Sequence, residues 1–170
     1  PFLRGVREAQ LVAFSTSSSS ATLPASLSVA EHNLGIQPAV ASSVLPLGAT
    51  INMDGTALYV CVVTIFAAQA FGIPLELSDY LLIGLTTTLV SVGTASVPSA
   101  SLFLLAAVLD TIGMSPEQTA LVVGFILPFD RILDMTRTVV NITGDLSVAT
   151  VVAKWEKEID EDLYKAAPTE

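Results

Sequence analysis

The sequence predicts an all-α membrane protein in which two re-entrant helical hairpins and two transmembrane helices, one or both of them discontinuous, are arranged as inverted repeats. Hydrophobic residues make up 52 % of the 170 and charged residues only 14 %, and the mean hydropathy is +0.69. Soluble domains carry about 25 % charged residues. The apolar runs are shorter than the roughly 20 residues that span a bilayer as one helix. The two halves of the chain carry similar motifs in the same order. Short apolar runs that repeat in this way indicate re-entrant and broken helices.

Residues 1–37 are predicted to form the tip and second arm of a first re-entrant hairpin. The serine run FSTSSSSATLP (14–24) follows the lead-in RGVREAQLVAF. A Ser-rich stretch is usually a solvated linker, but this one lies between two arms of helical character. Pro24 is expected to open the second arm, ASLSVAEHNLGI, because proline fits the first turn of a helix, where its missing N–H costs nothing.

The next two segments are predicted to be a discontinuous transmembrane helix and a second re-entrant hairpin. Residues 38–75 contain NMDGT (52–56), whose Asn, Asp and Gly are expected to interrupt an otherwise apolar helix. Residues 76–115 contain two apolar runs, YLLIGLTTTLVSV and SASLFLLAAVLDTIG. The few residues between these runs are too short a connection for an aqueous loop, so the runs are predicted to meet at a tip inside the membrane.

The last transmembrane helix, 116–153, repeats the pattern of the earlier one. Its NITGD (141–145) is expected to interrupt it as NMDGT interrupts the first. The two tips are also alike, with ATLPASLSVA in the first hairpin and ASVPSASLFLLAAV in the second. Residues 154–170 form an acidic tail that is expected to be solvated and cytoplasmic. Repeats of this kind, with discontinuous helices, point to a binding site where the repeats meet.

A polar stripe marks the last helix. Residues spaced by three and four positions share one face of a helix, and here they are Asp130, Asp134, Arg137, Thr138, Asn141 and Asp145. A charge at the centre of a membrane helix costs about 2.5 to 3.5 kcal/mol on insertion scales, so such residues are expected to face a cavity. The alternative is an ion pair, Asp134 with Arg137 or Asp130 with Arg131, that only neutralises itself.

The residue types in this stripe suit an acidic amino acid and a hard cation. Arg137 offers a planar fork of donors for a carboxylate, and Asp134, one turn away, can accept hydrogen bonds from an ammonium group. Asp54 and Asp145, each close to an Asn and a Gly, provide oxygen ligands next to the predicted helix breaks. Ligands of this kind at half-helix ends suit Na⁺.

Composition excludes other classes of function. Seven basic residues without a cluster give no electrostatic footprint for nucleic acid. The single cysteine, Cys61, lies in an apolar run and is expected only to pack. No organic cofactor and no enzymatic activity are expected. A hydrolase using a serine of the run with His32 as its base is the alternative from another class, although no GxSxG motif is present.

Four motifs in order, STSSSSATLP, NMDGTALY, SVGTASVPSAS and DMTRTVVNITGD, resemble the dicarboxylate/amino acid:cation symporters, the glutamate transporter family. The resemblance covers nearly the whole chain. It implies that the segments are the first hairpin, seventh helix, second hairpin and eighth helix of a transport core that moves like an elevator against a trimeric scaffold. It also implies a multi-pass location in the plasma or bacterial inner membrane, and six preceding helices that the sequence lacks.

The resemblance also implies the residues of the site. The substrate contacts would be the backbone of Ser18 and Ser19 together with Met53, Thr56, Val97, Asp134, Arg137, Thr138 and Asn141. The sodium ligands would form three groups: the carbonyls of Gly48, Asn52 and Asn141 with the Asp145 side chain; the Asn52 and Asp54 side chains; and the backbone of Thr50, Ser91, Val92 and Thr94.

Residue choice within the resemblance favours acidic amino acids. Neutral amino acid members of the family lack the arginine at 137, and dicarboxylate members lack the aspartate at 134, whereas this chain has both. The alternatives are a proton- or cation-coupled symporter of C4-dicarboxylates and a membrane fragment that does not transport.

Two departures from the family pattern fall at the hairpin tips and on the last helix. Many relatives have glycines at 96 and 101, where this chain has Ser96 and Ser101. Relatives also keep one further arginine, either in the serine tip or just after the substrate-binding aspartate. This chain has Ser17 and Met135 at those two places, and Arg131, one turn from Met135, is the candidate substitute.

Overall fold

The computed structural model describes residues 1–166 of the chain. Its helices, in chain order, are α1 Phe2–Gly5, α2 Arg7–Thr16, α3 Ser19–His32, α4 Pro38–Ile51, α5 Asp54–Ala70, α6 Leu77–Val92, α7 Ser101–Thr111, α8 Pro116–Ile126, a 3₁₀ turn Leu127–Phe129, α9 Asp130–Glu156 and α10 Glu161–Ala166. Over these residues the only β pairing is an isolated bridge between Ile36 and Ile159. The all-helical expectation is therefore confirmed.

Helices α2 and α3 form the first hairpin, and its tip is shorter than the serine run suggests. Ser17 adopts a left-handed backbone conformation (φ +52°), and Ser18 caps α3 by accepting a hydrogen bond from Ala21 N at 3.2 Å. The second arm thus begins at Ser19. The prediction that Pro24 opens this arm is wrong, because the Ser18 cap starts the helix earlier and leaves Pro24 in its interior.

Helices α4 and α5 form one apolar stretch with a short break at Asn52 and Met53. Asn52 N still donates to Gly48 O at 2.8 Å, and the helical backbone resumes at Asp54. Taken across the break, Pro38–Ala70 is the described stretch that is long and apolar enough to cross a membrane, judged by length and composition alone. The sequence placed an interruption at this motif, and the structure has one.

Helices α6 and α7 form the second hairpin. A reciprocal capping box starts α6, in which Glu76 N donates to Asp79 Oδ2 at 2.8 Å. Residues 93–100 then leave the helix as a series of bends and turns before α7 begins. This non-helical connection is the second tip, and it carries Ser96 and Ser99 toward the other helices. A re-entrant position in a bilayer and an inverted-repeat relation to the first hairpin stay predictions.

The last helix is interrupted at a different place from the one predicted. Pro128 lies in the 3₁₀ turn between α8 and α9, whereas α9 runs without a break through the NITGD motif (141–145). The predicted interruption there is wrong. Asn141 uses its side chain to reach α5 instead of competing with the backbone of its own helix. Gly144 provides room, since a Cβ there would collide with the Asp54 carboxylate.

Helix α9 is the centre of the packing and contacts α2, α3, α4 and α5. One apolar cluster joins its C-terminal half to the first hairpin and α4, with Leu45, Ile142 and Leu146 fully buried. A second cluster joins α5, α7 and α8 around residues such as Val60 and Leu105. The polar stripe lies on the face of α9 that packs against these helices, so it is buried inside the fold.

The start of the predicted tail docks against the connection between α3 and α4. Asp160 N donates to Gly35 O at 2.8 Å, and Gln37 N donates to Glu158 O at 3.0 Å. Lys154 near the end of α9 and Lys165 in α10 donate hydrogen bonds to Glu161, and these bonds lower the pKa of Glu161 to about 2. The final part of the predicted tail, residues 167–170, lies outside the described residues.

Helices α5 and α9 approach closely at Gly55, and this contact generates a stability prediction. A Cβ at Gly55 would collide with the Arg137 backbone carbonyl, whereas nothing lies within 4 Å of a Cβ added at Gly84 in α6. Gly55→Ala in the full-length protein should therefore lower the free energy of unfolding by about 1 to 3 kcal/mol. Gly84→Ala, the matched control, should be neutral or slightly stabilising. Thermal unfolding in detergent measures both, and equal midpoints for the two variants would contradict the predicted close contact.

Candidate functional site

The polar stripe of α9 is buried. Its members are at most 6 % exposed, although they are the residues that water would solvate best: Asp130, Asp134, Arg137, Thr138, Asn141 and Asp145. On the opposite side of the same helix Ile132 is 65 % and Val140 38 % exposed. This is the reverse of a helix on the surface of a soluble protein. The stripe was predicted from spacing, and the structure places all of its members on the inner side.

Arg137 is surrounded on every side by protein groups. Its Nη2 lies 2.5 Å from Asp134 Oδ1, and its Nη1 lies 4.0 Å from Asp130 Oδ1. Nη1 also donates a hydrogen bond to the hydroxyl of Ser101. The guanidinium carbon lies 5.0 Å from the centroid of the Tyr59 ring, at the range of a cation–π contact. Two carboxylates, one hydroxyl and one aromatic face therefore hold a single cation.

The two carboxylates also bind the tip of the second hairpin. Ser99 N donates to Asp134 Oδ2 at 2.9 Å, and the Ser99 hydroxyl donates to Asp130 Oδ2 at 2.6 Å. Ser99 has a positive φ of 61°, a conformation that costs energy for a residue with a side chain. The contacts with α9 hold the tip in this conformation.

The ion pair between Asp134 and Arg137, one of the alternatives read from the sequence, does form. It leaves the charges unbalanced, because Asp130 brings a second buried carboxylate whose Oδ1 has no hydrogen-bond partner among the described residues. The other alternative, a pair of Asp130 with Arg131, is wrong, since Arg131 is exposed while Asp130 is buried. Because Arg131 is exposed on the outer side of α9, it also does not replace the arginine that relatives keep near the site. The site thus holds more negative than positive charge.

A small polar cavity lies where both hairpin tips, the α4–α5 break and α9 meet. Its volume is about 10 Å³, the space of a single water. The residues that line it come from four segments: Ser17 and Ser19; Met53 and Thr56; Thr94, Ala95, Ser96 and Val97; and Asp134, Arg137, Thr138 and Asn141. All of the sequence-predicted substrate residues except Ser18 are in this set. Ser18 instead donates a hydrogen bond to Ser96 O at 2.5 Å, which ties the two tips together.

A second polar group lies one to two turns further along α9. Asn52 Nδ2 donates to Asp145 Oδ1 at 2.8 Å, and Gly48 approaches so closely that a Cβ there would lie 2.6 Å from Asp145 Oδ1. Asp54 lies against Gly144 from the other side of the α4–α5 break. Four of the predicted sodium ligands are therefore brought together. A cavity of about 180 Å³, lined mainly by apolar residues of α4 and by Asp145, opens beside them.

Asn141 lies between the two polar groups along α9. Its Oδ1 accepts a hydrogen bond from Gly55 N at 2.7 Å, and its Nδ2 lies 3.3 Å from Met53 Sδ. One face of α9 thus runs from the Arg137 network through Asn141 to Asp145. Among the described residues, no three His, Cys, Asp or Glu side chains lie close enough together to bind a metal ion. Amide, carbonyl and carboxylate oxygens of this kind suit a hard cation better than zinc.

The third predicted sodium group is only partly gathered. Ser91 and Thr94 are buried at the end of α6, whereas the side chains of Thr50 and Val92 are exposed. The Ser96 hydroxyl donates to Ala49 O at 2.6 Å and so brings the second tip to the end of α4. A role for the backbone carbonyls of this group stays a prediction.

The hydrolase alternative is contradicted by geometry. His32 is exposed at the C-terminal end of α3, and its Nδ1 lies 2.9 Å from Ser28 O. The serine run lies at the other end of this 14-residue helix, about 20 Å away at a rise of about 1.5 Å per residue. A base must lie within hydrogen-bond distance of the nucleophile to activate it.

Several residues that shape the site were not predicted as site residues. Tyr59 and Ser99 were missed, and Ser96 and Ser101 were noted only as departures from glycine. The sequence offered one signal for Tyr59: it follows the predicted site residue Thr56 by three positions, so the two share a face of α5. The serines of the second tip could not be placed, because a non-helical connection has no periodicity from which to read a direction.

Comparison with known proteins gives one consistent result. Residues 1–155 match the sodium:dicarboxylate symporter family. The chain is 44 % identical over 169 residues to an excitatory amino acid transporter of Caenorhabditis elegans, covering 99 % of this chain and 33 % of that protein. It is 44 % identical over 160 residues to human excitatory amino acid transporter 2, covering 94 % and 27 % of the two chains. The matching excitatory amino acid transporter 5 of Mus musculus is 41 % identical over 152 residues, 89 % of this chain and 26 % of the relative. The chain thus spans about a third or less of the length of these curated relatives.

The buried charge network makes a prediction about stability. Arg137→Met in the full-length protein should lower the free energy of unfolding by about 3 to 5 kcal/mol, because it leaves Asp130 and Asp134 buried without a cation. Adding Asp134→Asn should restore part of the loss, with a coupling energy of about 0.5 to 3 kcal/mol. Thermal unfolding of the two single variants and the double variant measures this coupling. Lys154→Met, which removes an exposed ion pair with Glu161, is the control and should change little. Additive effects of the two substitutions in the network would contradict the coupling.

Proposed function

This chain belongs to the sodium:dicarboxylate symporter family, and we propose that it forms the binding core of a secondary active transporter that couples the uptake of acidic amino acids to Na⁺. The observation that carries the proposal is the inner face of α9, which presents Arg137 with Asp134 at one level and Asp145 with Asn52 at another. The charged groups for an acidic amino acid and for a cation thus lie on one continuous helix, with Asn52 added from the end of α4. The similar proteins are named as transporters, a class that moves its substrates without transforming them.

The charges around the cavity match those of an acidic amino acid. Such a substrate carries two carboxylates and one ammonium group. The side-chain carboxylate would bind Arg137, and the ammonium group would bind Asp134, with Asp130 adding negative charge nearby. The excess of carboxylates favours a ligand that brings an ammonium group. A C4-dicarboxylate would add two negative charges and supply no cation, so it is the less favoured substrate.

The tip of the first hairpin would receive the α-carboxylate. Ser17 and Ser19 line the cavity at the N-terminus of α3, where free backbone N–H groups and the helix dipole favour an anion. The Ser17 hydroxyl is buried without a partner among the residues that the structure describes, so it is free to donate to a ligand. The predicted backbone contacts of Ser18 and Ser19 belong to the same proposal. Met53, Thr56, Val97, Thr138 and Asn141 would complete the walls.

Binding would require the second hairpin to move. A cavity of about 10 Å³ is too small for any amino acid, so one wall must withdraw. The connection 93–100 is the non-helical wall, and hydroxyl contacts of Ser96 and Ser99 hold it against α4 and α9. These contacts are few, and breaking them disrupts no helix. The second tip is therefore the part of the site that would open and close.

Sodium would bind beside Asp145 as a co-transported substrate. Asp145, Asn52 and Asp54 offer side-chain oxygens, and the carbonyls of Gly48, Asn52 and Asn141 are the further ligands implied by the resemblance. The cavity of about 180 Å³ lined by Gly48, Asn52 and Asp145 is where an ion could reach the Asp145 carboxylate. Asn141 belongs to both groups, so ion binding would bias the position of the Arg137 network. This shared residue is the physical basis we propose for coupling.

The setting in the membrane is part of the proposal. The relatives are transporters, so the chain is a membrane component. Large apolar side chains are exposed on the hairpins, among them Phe103 at 83 % and Leu81 at 68 %, and lipid or further helices would cover them. The re-entrant position of both hairpins, the inverted repeat and the cytoplasmic tail rest on the sequence pattern. The elevator motion, the homotrimer and the upstream helices rest on the resemblance.

The proposal predicts sodium-driven uptake that depends on Asp134. Full-length protein in liposomes should accumulate radiolabelled aspartate only with an inward Na⁺ gradient. Asp134→Asn should lower aspartate uptake by at least about tenfold, because it removes the charged acceptor of the ammonium group. Asp110→Asn, an exposed aspartate at the end of α7, is the matched control and should transport normally. Uptake that ignores the gradient would contradict the sodium coupling. Succinate that competes as well as aspartate would instead favour a dicarboxylate transporter.

A further inference from the structure

We propose that Ser101 determines which acidic amino acid the site prefers, by occupying the place on the Arg137 guanidinium where the side-chain carboxylate must bind, so that aspartate is favoured over glutamate. The inference rests on the proposed function, because it assumes that an acidic amino acid binds at Arg137. It concerns a position at which the sequence departs from the glycine of many relatives. Its basis is the contact between Ser101 and the Arg137 guanidinium.

Ser101 is held in its position by its place at the start of α7 and by the two hydrogen bonds of nearby Ser99. It is the first residue of α7 and has no exposed surface. Two residues before it, Ser99 is bound to Asp130 and Asp134 through its hydroxyl and its backbone N–H. The Ser101 Cβ therefore stays beside Arg137 while the second tip is closed, even when its hydroxyl gives up the hydrogen bond to Nη1. Its hydroxymethyl group thus lies against the guanidinium of Arg137, which itself lines the closed cavity.

Among the partners of the Arg137 guanidinium, Ser101 is the one that a substrate carboxylate can replace with a gain. Asp134 and Asp130 are already anionic, so replacing either with another carboxylate exchanges one charge for another. The Ser101 hydroxyl is neutral, and a carboxylate in its place makes a stronger, charge-assisted hydrogen bond. The substrate carboxylate should therefore approach Nη1 at the place where the Ser101 hydroxyl lies.

The opposite end of the site is fixed as well. The first tip holds Ser17 and Ser19, and α3 packs directly against α9. The span from this tip to Arg137 limits the length of the ligand, and Ser101 shortens it at the arginine end. Aspartate has one methylene between its α-carbon and its side-chain carboxylate, and glutamate has two. One methylene in a tight pocket typically changes affinity by about 10- to 200-fold.

The experiment measures dissociation constants for aspartate and glutamate at saturating Na⁺, with full-length protein and variants at position 101. The wild type should bind aspartate more tightly. Ser101→Gly removes the hydroxymethyl group, frees Nη1 and lengthens the pocket, so the preference for aspartate should fall by about tenfold or more. Ser101→Ala frees Nη1 but keeps the Cβ, so both ligands should gain affinity while the ratio stays within about threefold of wild type. Ser101→Thr adds a methyl group and should increase the preference for aspartate.

The matched control is Ser78→Gly, the same substitution in the first turn of α6 at the far, exposed end of the second hairpin. It should change neither affinity nor the ratio. Gel filtration checks folding, and if Ser101→Gly does not fold, the comparison of Ser101→Thr with Ser101→Ala decides. A ratio within about twofold of wild type in folded Ser101→Gly and Ser101→Thr would overturn the role of Ser101 and leave the proposed function standing. A wild-type protein that binds neither amino acid would overturn both.

Discussion

The structure depends on an excess of buried carboxylates along one face of a single helix. Asp130, Asp134 and Asp145 are each at most 3 % exposed, and Arg137 is the one buried basic residue in the described part of the chain. Removing a charge from water costs several kcal/mol even after relaxation. One guanidinium cannot compensate three carboxylates, two of which it contacts while the third lies two turns away. The inner face of α9 thus has fewer buried cations than buried carboxylates, and under the proposed function a sodium ion and the ammonium group of an amino acid would supply the missing positive charge.

The rest of the fold brings acceptors, donors and space to this face. Glycines let neighbouring helices approach it, with Gly55 against the Arg137 carbonyl and Gly48 against the Asp145 carboxylate. The break between α4 and α5 places Asn52 and Asp54 beside Asp145, where an unbroken helix would have kept its backbone groups paired internally. The two hairpin tips contact each other through Ser18 and Ser96, which closes the site from the side opposite α9. The two hairpin tips and the α4–α5 break therefore lie next to the polar stripe.

The parts of the structure that could be predicted from sequence are those that follow from helical periodicity. Residues spaced by three and four positions share a face in any helix, so the stripe from Asp130 to Asp145 could be identified without a structure. Local motifs were weaker guides, because NITGD resembles NMDGT and was expected to break the helix, yet α9 continues through it. The difference lies in nonlocal partners: Asn141 bonds to Gly55 N on another helix. Pro24 misled in a similar way, since the Ser18 cap starts the helix before the proline. The serine contacts of the second tip followed from neither rule, because they belong to a connection without regular structure.

Reciprocal binding of Na⁺ and aspartate tests the central claim most directly, because the proposed sodium ligands and the proposed substrate contacts share Asn141 on α9. The measurement is the dissociation constant for Na⁺ of the full-length protein in the absence and presence of saturating aspartate. If the two ligands stabilise the same arrangement of α9 and the second tip, aspartate should tighten Na⁺ binding, and Na⁺ should tighten aspartate binding by the same factor, about 5- to 150-fold. Equal Na⁺ affinities with and without aspartate would contradict the account.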